Sequence, residues 1–390
     1  MLKLIKNGEV YNPEPLGTKD VLITGDRIVR VADNIPVPQQ EFCEIEVMNV
    51  KGLKVVPGLI DPHVHLIGGG GEDGFKSRTP EIRLTDLTTA GITTAVGCLG
   101  TDGTSRHMTS LLAKARGLEE EGITSYIYTG SYQFPLQTIT GNCRDDIILI
   151  DKVIGIGEIA LADHRSSQPT IEQFKRITAL SRTGGILSNS AGIVHVHVGN
   201  GKDGLGYLLE IAKNTQIPIV QFLPTHINRN PDLLDAANEF IEQGGMVDLT
   251  TSSTNNPEDK QVPASKAART LLDQGASADM ITFSSDGMGS LPQFDDAGNF
   301  IGLDIGSVKS LLKEMQKAVL DEGIALEKAL RFVTINVADI LKLEDKGQIK
   351  EGCMADLTIL DEQLNVDSVL ARGQLMVNNG EPIVKGTFED

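Results

Sequence analysis

Apolar and polar positions alternate with two different periods along this chain. Near the N-terminus, Val21-Leu22-Ile23-Thr24-Gly25-Asp26-Arg27-Ile28-Val29-Arg30-Val31 places apolar runs on both sides of a Gly-Asp turn. That pattern predicts a β-hairpin. Near the C-terminus, Ala355–Leu360 alternates, and Leu375-Met376-Val377-Asn378 runs into an Asn379-Gly380 turn. Between these β-rich ends, short apolar runs alternate with amphipathic stretches. The runs at Gly58–His65, Thr93–Gly97, Thr124–Tyr128, Ile156–Leu161, Ile193–Val198, Pro218–Leu223, Met246–Thr250 and Ile281–Ser285 predict eight strands. Ser110–Glu121, Ile171–Ser181, Leu208–Lys213, Asp232–Gln243 and Lys266–Gln274 carry the helical period between them.

Strands alternating with helices predict a parallel α/β architecture, and eight of them favour closure. The expected fold is a (β/α)8 TIM-like barrel over residues 56–344. Residues 1–55 and 345–390 together form a small β-sandwich domain built from both termini. A barrel of this kind runs to about 250 residues as one domain, so the 390-residue length fits one barrel and a companion.

Seven histidines are present, and four of them, His63, His65, His197 and His226, fall at predicted strand ends together with Asp286. In a barrel the C-terminal strand ends form one rim, where catalytic groups gather. His63 and His65 are two apart on a strand and share a face. Imidazoles and a carboxylate without thiolate suit zinc, and they also accept manganese, cobalt or nickel. His195 lies two residues before His197 and is expected to pack one layer deeper. His107 is expected at the surface, and His164 is expected to orient a neighbour.

The formal net charge of −18 argues against a phosphate-backbone partner and points to solubility. No run approaches the roughly 20 apolar residues of a membrane helix. The start lacks the pattern of a secretory leader. Cys43, Cys98, Cys143 and Cys353 are scattered, as reduced thiols of a cytoplasmic protein are.

Pro57-Gly58-Leu59-Ile60-Asp61-Pro62-His63-Val64-His65 and Lys350-Glu351-Gly352-Cys353-Met354-Ala355-Asp356-Leu357 resemble motifs of the amidohydrolase superfamily. The segments Gly68–Glu72, Gly130-Ser131-Tyr132, Thr138–Gly141, Asp163-His164-Arg165-Ser166, Leu223–Asn230 and Ser284–Gly287 narrow the resemblance to its isoaspartyl dipeptidases. The likeness runs nearly end to end and implies hydrolysis of the isopeptide bond of β-aspartyl dipeptides by a metal-bridging hydroxide. His63, His65 and Asp286 would hold one divalent ion, His197 and His226 the other, most simply zinc in both. Asp286 would act as general base and acid, and Tyr132 as oxyanion donor. Glu72 matches the residue that takes the substrate ammonium. Arg165 and Arg229 match those that take carboxylates, and Gly70, Thr101 and Ser290 match pocket residues. Family members form oligomers, so a homo-oligomer is expected, with an octamer among the options.

One position departs from the family pattern. Relatives bridge the metals with a carboxylated lysine on the fourth strand, and that position is here Glu158. Lys152 stands too far back to replace it. Glu158 is expected to bridge the metals directly; the alternative is a displaced Glu158 and a mononuclear centre. Its arm is shorter, so the fourth strand must come closer to the metals, and Gly157 beside it permits a bulge. A cyclic-amide hydrolase of dihydroorotase or hydantoinase type shares the barrel and metals and stands as the alternative. A barrel that has lost catalysis is the remaining one, and it would show damaged ligands.

Overall fold

The computed structural model describes residues 2–37, 44–253, 260–295 and 300–389. Eight parallel strands form the centre. They are Leu59–Val64, Ile92–Gly97, Thr124–Thr129, Val153–Leu161, Ile193–Val198, Phe222–Thr225, Val247–Thr250 and Ile281–Ser284, called here barrel strands one to eight. Strands one to six pair in sequence order, and seven pairs with eight. Two seams close the ring. Val64 bridges Gly287 in parallel, and His65 N–H donates to the Gly287 carbonyl at 2.9 Å. At the other seam, Thr225 Oγ1 donates to Asp248 Oδ2 at 2.6 Å. The result is the expected (β/α)8 barrel.

Helices cover the outside because their apolar faces can be buried only against the strands. Local signals start them where the sequence puts them. Thr170 and Gln173 form a reciprocal capping box on Ile171–Ser188. Asn230 caps Pro231–Glu242, with Pro231 in the first turn. Barrel strand six begins later than expected. Pro218 leads into a 3-10 turn at Ile219–Gln221, and the Gln221 amide reaches the Gly192 carbonyl. The strand proper is therefore Phe222–Thr225. This shift brings His226 directly past the strand end.

Both termini contribute to one nine-stranded sheet. They meet where Lys54–Pro57 pairs antiparallel with Leu357–Leu360. Ile5, Val10, Val21, Val55, Leu357 and Ile359 form its own core. The hairpin expected at Gly25-Asp26 is present, with Thr24 opposite Arg27. Asn379 and Gly380 turn with φ of 51° and 77°. The chain runs from Pro57 straight into the first barrel strand, so this sheet anchors the strand that carries His63 and His65.

A hairpin of Ser290–Phe294 and Phe300–Ile305 follows barrel strand eight. The periodicity of the sequence predicts no strand there. Cys98, Cys143 and Cys353 are buried and unbridged, and Cys43 lies outside the described residues. Among those residues no helix is long and apolar enough to cross a membrane.

Candidate metal centre and substrate pocket

His63, His65, Glu158, His197, His226 and Asp286 converge at the C-terminal rim of the barrel. His63 Nε2 lies 3.2 Å from Glu158 Oε2 and 3.4 Å from Asp286 Oδ1. His65 Nε2 lies 3.0 Å from the same Asp286 oxygen. On the other side, His197 Nδ1 and His226 Nε2 lie 2.8 and 3.1 Å from Glu158 Oε1. One oxygen of Glu158 thus faces His63, and the other faces His197 and His226.

Barrel strand four reaches this point through a bulge. Val194 pairs with Ile156 and Val196 with Ile159, so Gly157 and Glu158 together oppose His195 alone. A Cβ at Gly157 would sit 2.8 Å from His195 Cβ and 3.0 Å from its carbonyl oxygen. Glycine is required for that approach, as the sequence reading expected. The extra residue carries Glu158 to within 3.2 Å of His63 and 2.8 Å of His197.

The far nitrogen of each histidine is also engaged. His63 Nδ1 meets His195 Nε2 at 3.1 Å, and His65 Nδ1 meets the Cys98 sulfur at 3.8 Å. His197 Nε2 meets Asp163 Oδ2 at 2.8 Å, and His226 Nδ1 meets Thr250 Oγ1 at 2.6 Å. With the ring protons on these outer nitrogens, all four lone pairs point inward. His195 itself stacks on Tyr128 with ring centroids 4.9 Å apart, one layer down as expected.

The inner atoms fit a cation. His63 Nε2 and Glu158 Oε2 are fully buried, face each other and have no hydrogen-bond partner. His63, His65, Cys98 and Glu158 form one group with donor atoms within 4.8 Å, and Glu158, His197 and His226 form a second. The Cys98 sulfur lies within 4.8 Å of the donor atoms of that group and meets His65 Nδ1 at 3.8 Å, so a thiol stands beside the imidazoles and carboxylates that the sequence placed there. Asp286 Oδ1, on the inner side, completes the first set.

Electrostatics point the same way. Burial pushes the Glu158 carboxyl up, but His63, His197 and His226 hold it well below the usual carboxylate range. Burial and His197 push His226 down to about 3, so its ring is neutral. Burial resists charge on His63, yet Cys98, Glu158 and Asp286 raise its pKa well above the ordinary value. The cluster thus draws positive charge inward, which protons or a cation can supply.

His226 (φ 64°) and Asp286 (φ 51°) both adopt left-handed backbone. Non-glycine residues adopt it in only a few per cent of cases, and here it turns the chain sharply just past the ends of barrel strands six and eight.

The remaining expected residues stand around this cluster. A cavity of about 410 Å³ opens above it, lined by Glu72, Tyr132, Arg165, Arg229, Asp286 and Ser290. Leu291, Pro292 and Leu303 of the added hairpin form an apolar wall. Tyr132 places its hydroxyl 2.8 Å from His197 Nδ1. Thr101 Oγ1 donates to Glu72 Oε1 at 3.0 Å, and Arg165 Nη1 lies 3.5 Å from that oxygen. Gly70 has φ of 70°, and a Cβ there would meet the Ser77 carbonyl at 2.4 Å and Ser290 Cβ at 3.2 Å. It lets the Glu72 loop fold tightly beside Ser290.

Sequence reasoning missed Asp163, whose carboxylate binds both His197 and Arg165. The orienting role was expected of His164, whose side chain is 88% exposed at the mouth of the cavity with Nδ1 3.5 Å from Asp163 Oδ1. Only the burial of Asp163 separates the two, and adjacent residues in a loop do not announce which one faces in. His107 is exposed at the start of Met108–Glu120, as expected. A larger cleft of about 700 Å³ lies near Ala278, at the opposite end of the strands. There Arg331 pairs with Glu14 at 2.7 Å and Asp279 at 2.6 Å, and it holds none of the residues above.

Comparisons with known proteins agree with this geometry. A β-aspartyl dipeptidase from the thermophilic keratin-degrading Fervidobacterium islandicum AW-1, solved in complex with β-Asp-Leu dipeptide, is 45% identical. The match covers 100% of both chains with a TM-score of 0.90. Dihydropyrimidinase from Brevibacillus agri NCHU1002 has a TM-score of 0.70 at 18% identity, over 99% of this chain and 97% of that one. At that identity it speaks for the fold alone. Dihydroorotase from Aquifex aeolicus (strain VF5) is 28% identical over 93% of this chain and 90% of its own length. The amidohydrolase family profile matches residues 54–376. The chain therefore belongs to the amidohydrolase family of hydrolases, and within it is akin over its whole length to the β-aspartyl dipeptidases.

Proposed function

We propose that this protein hydrolyses the isopeptide bond of β-aspartyl dipeptides with two divalent metal ions, most simply zinc. The observation that carries the reading is one carboxylate, Glu158, with one oxygen on His63 and the other on His197 and His226, beneath a cavity that holds Glu72, Arg165 and Arg229. His63, His65 and Asp286 would hold one ion, His197 and His226 the other, and Glu158 would bridge them. When bound, such ions lower the pKa of a shared water and polarise the scissile carbonyl. Asp286 accepts the proton of the attacking water and passes it to the leaving amine. Tyr132 donates its hydroxyl to the oxygen that gains charge. Glu72 receives the substrate ammonium, and Arg165 and Arg229 receive its carboxylates through their planar forks. Clearance of isoaspartyl peptides left by protein degradation is the role that follows.

The Aquifex relative keeps a cyclic-amide hydrolase in view as a second reading. Dihydroorotate has no ammonium for Glu72 to pair with, so the charges of the cavity favour the dipeptide. Purified, metal-counted protein should cleave β-Asp-Leu, leave α-Asp-Leu and dihydroorotate intact, and lose activity in chelator. Failure of the metal-loaded protein to cleave β-Asp-Leu would falsify the proposal. Turnover of dihydroorotate instead would favour the second reading.

Tyr132→Phe removes the hydroxyl and keeps the ring under Arg165, whose guanidinium carbon lies 5.2 Å from the ring centre. Loss of one oxyanion donor costs about 10²–10³ in kcat. Steady-state kinetics should show that fall with KM changed little. An unchanged kcat would remove Tyr132 from the reaction.

A further inference from the structure

We infer that Asp163 is a positioning residue that joins the metal centre to the substrate-binding arginine. One carboxylate sets the ring of His197 and the fork of Arg165 at once. The inference rests on the metal ligation proposed above.

Asp163 lies at the end of barrel strand four, with 5% of its side chain exposed. Oδ1 accepts the Arg165 backbone N–H at 2.8 Å and Nε at 3.0 Å. Oδ2 accepts Arg165 Nη2 at 3.0 Å and meets His197 Nε2 at 2.8 Å. Both oxygens are therefore used, and one of them serves both partners. The bidentate grip occupies the Nε–Nη2 edge of Arg165. Nη1 is left directed toward Glu72 and the cavity. The contact with His197 Nε2 places the ring proton there and turns the Nδ1 lone pair toward Glu158.

The backbone holds this carboxylate in place. The Asp163 carbonyl accepts the Gln168 amide at 2.9 Å. The next barrel loop packs closely on it: a Cβ at Gly199 would lie 2.6 Å from both Cα and Cβ of Asp163. Arg165 Nη2 also lies 3.2 Å from His197 Nε2. Arg229 Nη2 lies 3.4 Å from the same nitrogen, and the Asp163 carboxylate is the anion shared by His197 and Arg165 that offsets this crowding of donors. Without it they repel, and both the ring and the fork lose their fixed direction.

Asp163→Asn tests this, because it keeps the shape and replaces one acceptor oxygen with a donor. Carboxylates behind a metal-bound histidine typically contribute about 10–100-fold in affinity. Competition titration with a zinc chelator should show one of two bound ions weakened by about that factor. The other, beside His63 and His65, should stay within about threefold, the scatter expected between contexts. KM for β-Asp-Leu should rise in the same variant. Arg165→Met should raise KM while both ions keep their affinity, which separates loss of the arginine from loss of the joint.

Equal weakening of both ions, or of neither, overturns the inference. So does a weakened ion with unchanged KM. If Asp163→Asn does not fold, Asp163→Glu shifts the charge by one methylene, and the same ion should weaken. Chelator titration does not require turnover. A protein inactive on β-Asp-Leu that still loses one ion on substitution would sink the proposed substrate and leave the Asp163–His197 joint standing.

Discussion

Glu158→Ala is expected to lose tightly bound metal and, with it, at least about a thousandfold in kcat/KM. Each ion supplies several kcal/mol of charge stabilisation, and about 1.4 kcal/mol is a factor of ten. The size of the effect follows from where the carboxylate sits. It is fully buried, and its two oxygens are divided between His63 on one side and His197 with His226 on the other. Neighbouring cations repel, and an anion between them relieves that repulsion. Asp286 approaches only the His63 and His65 side, so it cannot replace Glu158 for the second pair. Glu158→Gln keeps the size and removes the charge. It should behave like the alanine variant if charge is what holds the ions. Metal counting and β-Asp-Leu kinetics on both variants check this. Two tightly bound ions with full activity in Glu158→Ala would remove Glu158 from the centre.

The second large effect is expected at Asp286. Asp286→Asn should lower kcat by about 10²–10⁴, the usual contribution of a positioned general acid–base. The substitution is a clean one for a physical reason. Asp286 has φ of 51°, and asparagine is among the few residues that accept this backbone readily. The loop around it can stay intact, with Gly289 N–H on the Asp286 carbonyl at 3.1 Å. What changes is the ability to take a proton and the charge that Asp286 offers the first ion beside His63 and His65, so metal counting on the variant separates the two effects. KM should move much less than kcat, because Glu72, Arg165 and Arg229 still bind the substrate. A kcat within tenfold of the parent would assign the proton transfer to another group.

The periodicities carried most of the fold because burial dictates them. Barrel strands are covered on both faces and read as short apolar runs, and the helices between them bury one stripe. The misplacement of barrel strand six shows where this stops. Pro218–Leu223 is apolar enough for a strand, but the Gln221 amide is drawn to Gly192, just before the neighbouring strand. A contact 29 positions away leaves no mark in the local period. The hairpin after Asp286 was missed for a related reason. Its wall of Leu291, Pro292 and Leu303 is defined by the cavity it borders, not by alternation along the chain.

At the site, the sequence by itself determined which residues could bind metal. A histidine or carboxylate at the end of a barrel strand must lie on the common rim, since the barrel brings all eight ends together. It also determined that the fourth strand carries a glutamate beside a glycine. Only the tertiary structure decided how Glu158 reaches the histidines, because the bulge opposite His195 exists only once strands four and five are paired. Only it decided that Asp163 is buried and His164 exposed. Only it supplied an outer partner for each of the four histidine rings: His195, Cys98, Asp163 and Thr250. Such partners come from other strands and other loops. Their distance in sequence carries no information about the angle at which one side chain meets another.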